Sequence, residues 1–249
     1  MKKINVIPLA GEGRRFVEEG YLTPKPLIKI NDTPMVINAA KCLPDADLWI
    51  FICLEKHISK SKIDIILKNN FSNSIIIPVA YKTEGQASTC MLAEPYFSEN
   101  DILTIGACDN GMAYNKKKYY DSFEKFDALI WTFRKNPVVL ENPNMYGWVN
   151  MNFKDNTAIS VSCKSPISQN PLNDNAIVGT FSFKRSKYFL ESVRSMVSKN
   201  RRINNEFYMD IAIDECIKNG LSVGVFEIDN YYCWGTPKSY EKYMEELNE

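Results

Sequence analysis

Two groups of residues in this 249-residue chain combine side-chain types and spacing that could do chemistry. The first is Leu9-Ala10-Gly11-Glu12-Gly13-Arg14-Arg15, followed by Pro24-Lys25-Pro26. Glycine has no Cβ and reaches positive φ cheaply, so an Ala-Gly-x-Gly turn lets backbone approach phosphate oxygens. Arg14 or Arg15 offers a planar, charge-assisted fork, and Lys25 offers a point charge on a backbone stiffened by two prolines. Gly-x-Gly after a strand is equally the sequence of a tight turn; a lysine held between prolines asks for more than a turn. The second group is Gly106-Ala107-Cys108-Asp109-Asn110-Gly111. A carboxylate just past an apolar strand is placed to hold Mg²⁺ against phosphates, although Asp-Asn-Gly is also a good turn former.

Both groups follow short apolar runs, and the surrounding pattern says what must position them. The chain is 45% hydrophobic and 24% charged, enough for one large α/β domain over residues 1–249. Strands are expected at Ile4–Leu9, Leu48–Leu54, Ser74–Ala80 and Asp101–Ile105, and helices near Pro34–Leu43, Ser59–Asn69 and Gln86–Phe97. Such alternation implies crossovers and a mostly parallel sheet, with sites at the carboxyl ends of its strands. From about Asp127 the runs become β-rich: Ala128–Arg134, Tyr146–Phe153, Ala158–Cys163 and Ala176–Phe183. Helices at Ser186–Ser198 and Asn205–Lys218, a strand at Ser222–Glu227 and a helix opened by Thr236-Pro237 complete the pattern. The expected halves are about 1–126 and about 127–249, the second covering the first loop.

Thirty basic and thirty acidic residues cancel, so no global field recruits nucleic acid or an anionic membrane, and an anion site must be a local basic cluster. The Lys116-Lys117-Lys118 run reads as a solvated helix end or loop. Seven cysteines stand singly, without metal-binding spacing, which points to reduced thiols and a cytoplasmic setting. No segment reaches the roughly 18 apolar residues that span a bilayer. The lone histidine, His57, sits in a polar segment where a solvated imidazole is expected.

The runs LAGEGRRF and GYLTPKPLIKINDTPMV together resemble the amino-terminal signature of the sugar-phosphate nucleotidyltransferase superfamily. Most members read Leu-Ala-Gly-Gly, a further glycine and an arginine; here Glu12 replaces the second glycine in a loop one residue shorter, as in the cytidylyltransferase-like branch. The resemblance implies a Rossmann-like three-layer α/β/α fold of the glycosyltransferase-A type, with a mixed, mostly parallel sheet and a β-rich second half. It implies nucleotide contacts from Leu9, Ala10, Gly11, Glu12, Gly13, Arg14, Lys25 and Asp109, and a base-reading loop at Gly85, Gln86 and Ala87. There a glycine permits close approach and an amide can pair with a pyrimidine edge, although a glycine turn into a capped helix explains the same residues.

Tyr146, Gly147, Lys164, Gly179, Glu206, Asp210 and Trp234 match the acceptor-binding positions, with Arg185 also available to an amino-acid acceptor. Glu206 and Asp210, four apart in the expected helix, would share a face and could equally be solvated. At the carboxyl-terminal signature Tyr232-Cys233-Trp234-Gly235-Thr236-Pro237, Cys233 stands where the family has a metal-binding aspartate, leaving Asp229 as the candidate partner of Asp109 for Mg²⁺ or Mn²⁺.

The implied reaction joins a nucleoside triphosphate, CTP foremost, to a phosphorylated small-molecule acceptor with loss of pyrophosphate. Arg15, Lys25, Asp109 and Lys164 would be catalytic, and phosphorylated L-glutamine in capsule polysaccharide synthesis is the leading acceptor. Sugar 1-phosphates, phosphocholine and a noncatalytic nucleotide-binding protein are the alternatives, and a homo-oligomer stays open.

Overall fold

The run Ile4–Leu9 is apolar throughout because its strand is covered on both faces. In a computed structural model, which describes residues 1–248, Ile4 and Val6 pack into one hydrophobic cluster and Ile7 and Leu9 into another. The strands are β1 (Lys3–Leu9), β2 (Lys29–Ile30), β3 (Thr33–Pro34), β4 (Leu48–Leu54), β5 (Ser74–Val79), β6 (Ile102–Ile105), β7 (Asn110–Ala113), β8 (Ala128–Phe133), β9 (Gly147–Asn152), β10 (Thr157–Cys163), β11 (Asn175–Phe183), β12 (Val223–Glu227) and β13 (Asn230–Cys233). The α-helices are α1 (Arg14–Glu18), α2 (Met35–Lys41), α3 (Glu55–Ser61), α4 (Ile63–Asn70), α5 (Gln86–Met91), α6 (Lys116–Phe123), α7 (Val138–Glu141), α8 (Ser186–Ser198), α9 (Met209–Lys218) and α10 (Pro237–Asn248).

Nine strands form one mixed sheet in the order β5-β4-β1-β6-β11-β8-β12-β10-β9, running through both halves of the chain. Helices α5, α8 and α9 cover one face, and α2, α4 and α6 cover the other, which makes three layers. The ladders β5-β4-β1-β6 are parallel, as the alternation of runs and helices implies. The second half departs from the expected mostly parallel sheet. There only β8 and β12 run parallel, while β11 is antiparallel to β6, β8 and β9, and β10 to β9 and β12. Short links between β-rich segments favour antiparallel neighbours, because parallel pairs need long crossovers.

The pairing of β11 with β9 closes the strands β11-β8-β12-β10-β9 into a ring. One strand, β11, therefore pairs with three neighbours, β6, β8 and β9. Its first residues pair with β9 and its last with β6, with a register break between Ile177 and Phe181. Gly179, at φ +90°, sits in that break. Asn110, buried at the start of β7, holds the bend by donating from Nδ2 to the Val178 carbonyl at 2.8 Å.

Three local expectations change. The Ser59–Asn69 helix is two, broken at Lys62 in a left-handed conformation (φ 53°). The Asn205–Lys218 helix begins only at Met209, because Asn204 and Asn205 are both left-handed, a conformation asparagine tolerates best among non-glycine residues. His57 is buried rather than solvated, and burial lowers its pKa. The lysine run opens α6, whose first turn is capped by Asn115 accepting from the Lys118 amide. Among the described residues, no helix is long and apolar enough to cross a membrane.

The link between α8 and α9 is anchored by buried charge. Arg201 binds Asp214 at 2.8 Å and also Glu215, which takes further bonds from Lys199 Nζ and Ser195 Oγ at 2.6 Å each. Burial alone would raise the Glu215 pKa, but these donors outweigh it and hold it at about 2. A depressed carboxylate pKa adds stability above its unfolded value near 4.5, and that stability is lost as pH falls toward 2. We expect Glu215→Gln to cost about 2–4 kcal/mol at neutral pH. Its deficit in thermal unfolding relative to wild type should shrink between pH 4.5 and pH 2.

Candidate active site

A cavity of about 410 Å³ opens where the parallel strands end and the ring begins. The carboxyl end of β1 delivers Ala10 and Gly11, and the first turn of α1 delivers Arg15. Lys25 enters from a single turn of 3₁₀ helix at Lys25–Leu27, where Pro24 and Pro26 restrict the backbone. The β5–α5 loop contributes Lys82, Thr83 and Gly85, the start of α5 Gln86, the β6–β7 connection Asp109, and the start of β7 Asn110. From the ring come Tyr146, Gly147, Lys164 and Gly179, and from the α8–α9 region Glu206, Tyr208 and Asp210. The β7–β13 ribbon, in which Cys233 lies opposite Asn110, adds Tyr231 and Cys233.

At the centre, Lys25 Nζ lies 2.5 Å from Asp109 Oδ2 and donates to the Gly235 carbonyl at 3.0 Å, with the Phe16 ring 5.5 Å away. Burial, the largest single influence, pulls the Lys25 pKa down, but the charge and hydrogen bond of Asp109, together with Cys108 and Cys233, outweigh it and the net shift is upward. Burial likewise pushes Asp109 up, and Lys25 and Arg15 more than reverse it. Both groups therefore stay charged. The Asp109 side chain retains 31% exposure, which leaves it reachable from the cavity.

The opposite wall carries Lys164, Tyr208 and Asp210. Lys164 holds a left-handed backbone (φ 61°), uncommon for a residue with a side chain, and is fixed by its amide to the Tyr146 carbonyl at 3.1 Å. Its ammonium donates to the Met145 carbonyl and lies 5.3 Å from the centre of the Tyr208 ring. Asp210 packs so closely on Gly147 that a Cβ there would collide with its carboxylate. Burial raises the Asp210 pKa, and Lys164 and Cys163 only partly offset it.

Several residues expected at the site lie off the cavity wall. Leu9 and Ala87 are buried in the core. Glu12 and Arg14 pair with each other on the surface, where Glu12 also meets Lys56 at 3.1 Å. Gly13, left-handed at φ 64° at the start of α1, lies so close to Lys25 that a Cβ would stand 2.9 Å from the Lys25 Cβ. Trp234 is buried against Phe16, Ile28 and Met35, its ring over Gly111 rather than facing the cavity. Arg185 is exposed ahead of α8, next to Ser186, whose amide meets the Asp101 carbonyl before β6 begins; this is the other end of that strand from Asp109. Glu206 precedes α9, so it and Asp210 share the cavity without sharing a helical face.

Asp229 cannot join Asp109 at a metal. It is exposed just before β13, next to Asn230 opposite Ala113, whereas Asp109 adjoins the end where Cys233 lies opposite Asn110. Among the described residues, no cluster of three or more His, Cys, Asp or Glu side chains could hold an ion unaided. One carboxylate, Asp109, suits a hard cation that keeps waters and phosphates as its other ligands. Cys233 offers such an ion little.

No protein-family model matches the chain, and no curated protein sequence matches it. Solved structures do. A nucleoside-diphosphate-sugar pyrophosphorylase from Vibrio cholerae RC9 aligns with TM-score 0.78 at 19% identity, covering 97% of this chain and 99% of its own. An inositol-1-phosphate CTP transferase from T. maritima aligns with TM-score 0.73 at 14% identity (99% and 96%). A UDP-glucose pyrophosphorylase complexed with UDP-glucose gives 0.73 at 16% identity (100% and 99%). The shared feature is the fold.

Lys82, Asn110, Tyr208 and Tyr231 also line the cavity, although no motif gives any of them a role of its own. Lys82 follows a strand end, a position that could have flagged it. Tyr231 lies two residues from Cys233, hence on the same face of β13 once that strand is known. Because only its charged neighbours hold the Lys25 pKa above its ordinary value against burial, Asp109→Asn should make Lys25 titrate at lower pH than in wild type. NMR of ¹³C-labelled lysine reads that shift.

Proposed function

We propose that the chain is a nucleotidyltransferase that couples CTP to a phosphorylated acceptor and releases pyrophosphate. The observation that carries this reading is the concentration of Arg15, Lys25, Lys82 and Lys164 around one cavity of a chain with no net charge, with Asp109 among them. Two phosphorylated molecules meeting there would find cations at both ends. The fold is one that structures named as pyrophosphorylases and a CTP transferase also have, which supports the class without fixing base or acceptor.

An acceptor phosphate oxygen attacks the α-phosphorus, and the bond to the pyrophosphate oxygen breaks in line. The nucleophile is already anionic at neutral pH, so the site needs no general base, and its work is positioning and charge neutralisation. The Gly11 backbone and Arg15 face the β- and γ-phosphates, Lys25 the α-phosphate, and Lys164 the acceptor phosphate. Gly85 and Gln86 lie against the base, with a glutamine amide able to pair with its edge. Lys25 must exchange its bonds to Asp109 and Gly235 for phosphate oxygens as the triphosphate enters. Mg²⁺ or Mn²⁺ arriving with the triphosphate would be held by Asp109 and would supply further neutralisation of its charge.

Phosphorylated L-glutamine is the acceptor we favour, as in capsule polysaccharide synthesis. Glu206 and Asp210 offer carboxylates to an ammonium, and Lys82 offers a cation to a carboxylate once it leaves Glu206. A noncatalytic nucleotide-binding role draws on Cys233, which leaves Asp109 without a second carboxylate.

Pyrophosphate release, measured for four nucleoside triphosphates against phosphoglutamine, phosphocholine and sugar 1-phosphates, decides among these. We expect CTP with phosphoglutamine to give the highest kcat/KM. Lys25→Ala and Asp109→Ala should each lower kcat roughly 100- to 1,000-fold while the protein stays folded. Near-normal turnover in both variants overturns the assignment, and no release with any pair favours the noncatalytic role.

A further inference from the structure

Arg201 and Arg202 are consecutive but face different partners. Arg201 turns inward to the buried carboxylates of α9, while Arg202 reaches Glu84 in the β5–α5 loop with both guanidinium nitrogens, at 3.0 and 3.3 Å. The Arg202 guanidinium also stacks 4.0 Å from the centre of the Phe207 ring. Neither Arg202 nor Glu84 lines the cavity.

Beneath this pair the two loops are joined through their backbones. The Phe207 amide donates to the Glu84 carbonyl at 2.7 Å, and the Ala87 amide donates to the Phe207 carbonyl at 3.1 Å. Gly85, between them at φ +122°, lies so flat on Phe207 that a Cβ would stand 2.6 Å from its carbonyl oxygen. Glu206 and Tyr208, on either side of Phe207, face the cavity, as do Gly85 and Gln86. The segment beside the base and the segment beside the acceptor are thus one hydrogen-bonded unit, clipped on its outer side by Arg202 and Glu84.

We propose that the Arg202–Glu84 clip couples the two halves of the cavity, so that a nucleotide seated against Gly85 and Gln86 orders the segment 203–209 that receives the acceptor. Arg202 is on this view a positioning residue, and the inference rests on the nucleotide reading given above. An exposed bidentate pair with an aromatic stack supports coupling of about fivefold.

Hydrogen exchange with Mg²⁺-CTP as the probe tests it without an acceptor. In wild type, saturating CTP should slow amide exchange in both 83–87 and 203–209, the latter about fivefold. In Arg202→Ala, and separately in Glu84→Ala, CTP should still slow 83–87 while its effect on 203–209 falls from about fivefold to about twofold or less, the remainder carried by the backbone bonds between the loops. Combining Glu84→Arg with Arg202→Glu should recover part of what is lost. A merely structural role would raise basal exchange in 203–209 and leave its CTP response intact, which overturns the inference. So does wild-type CTP binding without any response in 203–209. Absence of CTP binding, measured by calorimetry, overturns the nucleotide reading and this inference together.

Discussion

The architecture depends on how β11 is paired. A strand cannot keep regular register with an open, parallel sheet along one stretch and close an antiparallel ring along another, because the two demand different curvature. The chain resolves this with a break between Ile177 and Phe181, centred on Gly179 and tied down by Asn110. The break leaves a concave space at the seam, and the cavity occupies it. Asn110 adjoins Asp109, so the side chain that secures the bend also fixes the start of the ribbon beside the central carboxylate.

Electrostatics then gives that space its character. A chain of zero net charge has no long-range pull on anions, yet Arg15, Lys25, Lys82 and Lys164 converge from four separate segments. Lys25 and Asp109 keep each other ionised in a partly buried setting where either alone would be pushed toward neutrality. Lys164 stays in place through a left-handed backbone held by the Tyr146 carbonyl. Three of these cations are each held by a partner from another segment, Lys25 by Asp109 and Gly235, Lys82 by Glu206, and Lys164 by the Met145 carbonyl.

The elements most legible in the sequence were those governed by local pattern. The four parallel strands and α8 lie where the apolar runs place them, to within a residue at most ends, because burial on both faces leaves little freedom in what a strand can contain. Illegible were features set by distant partners. The ribbon strands β7 and β13 are four residues each and are strands only because they pair across more than a hundred residues. The late start of α9 turns on two left-handed asparagines, and asparagine permits that conformation without requiring it.

The sequence by itself determined the glycine-bearing loop after β1, the lysine between prolines, the carboxylate past β6 and the alternation that makes an α/β sheet, since each depends on a few adjacent residues. Only the tertiary structure decided that Asp229 and Arg185 lie away from the site, that Trp234 packs inward, and that Lys82 and Tyr231 face the cavity. Strand register places Asp229 through the pairing of Asn230 with Ala113, the Ser186–Asp101 backbone bond places Arg185, and packing against Phe16 places Trp234. Those are relations between segments far apart in the chain, and no local spacing encodes them.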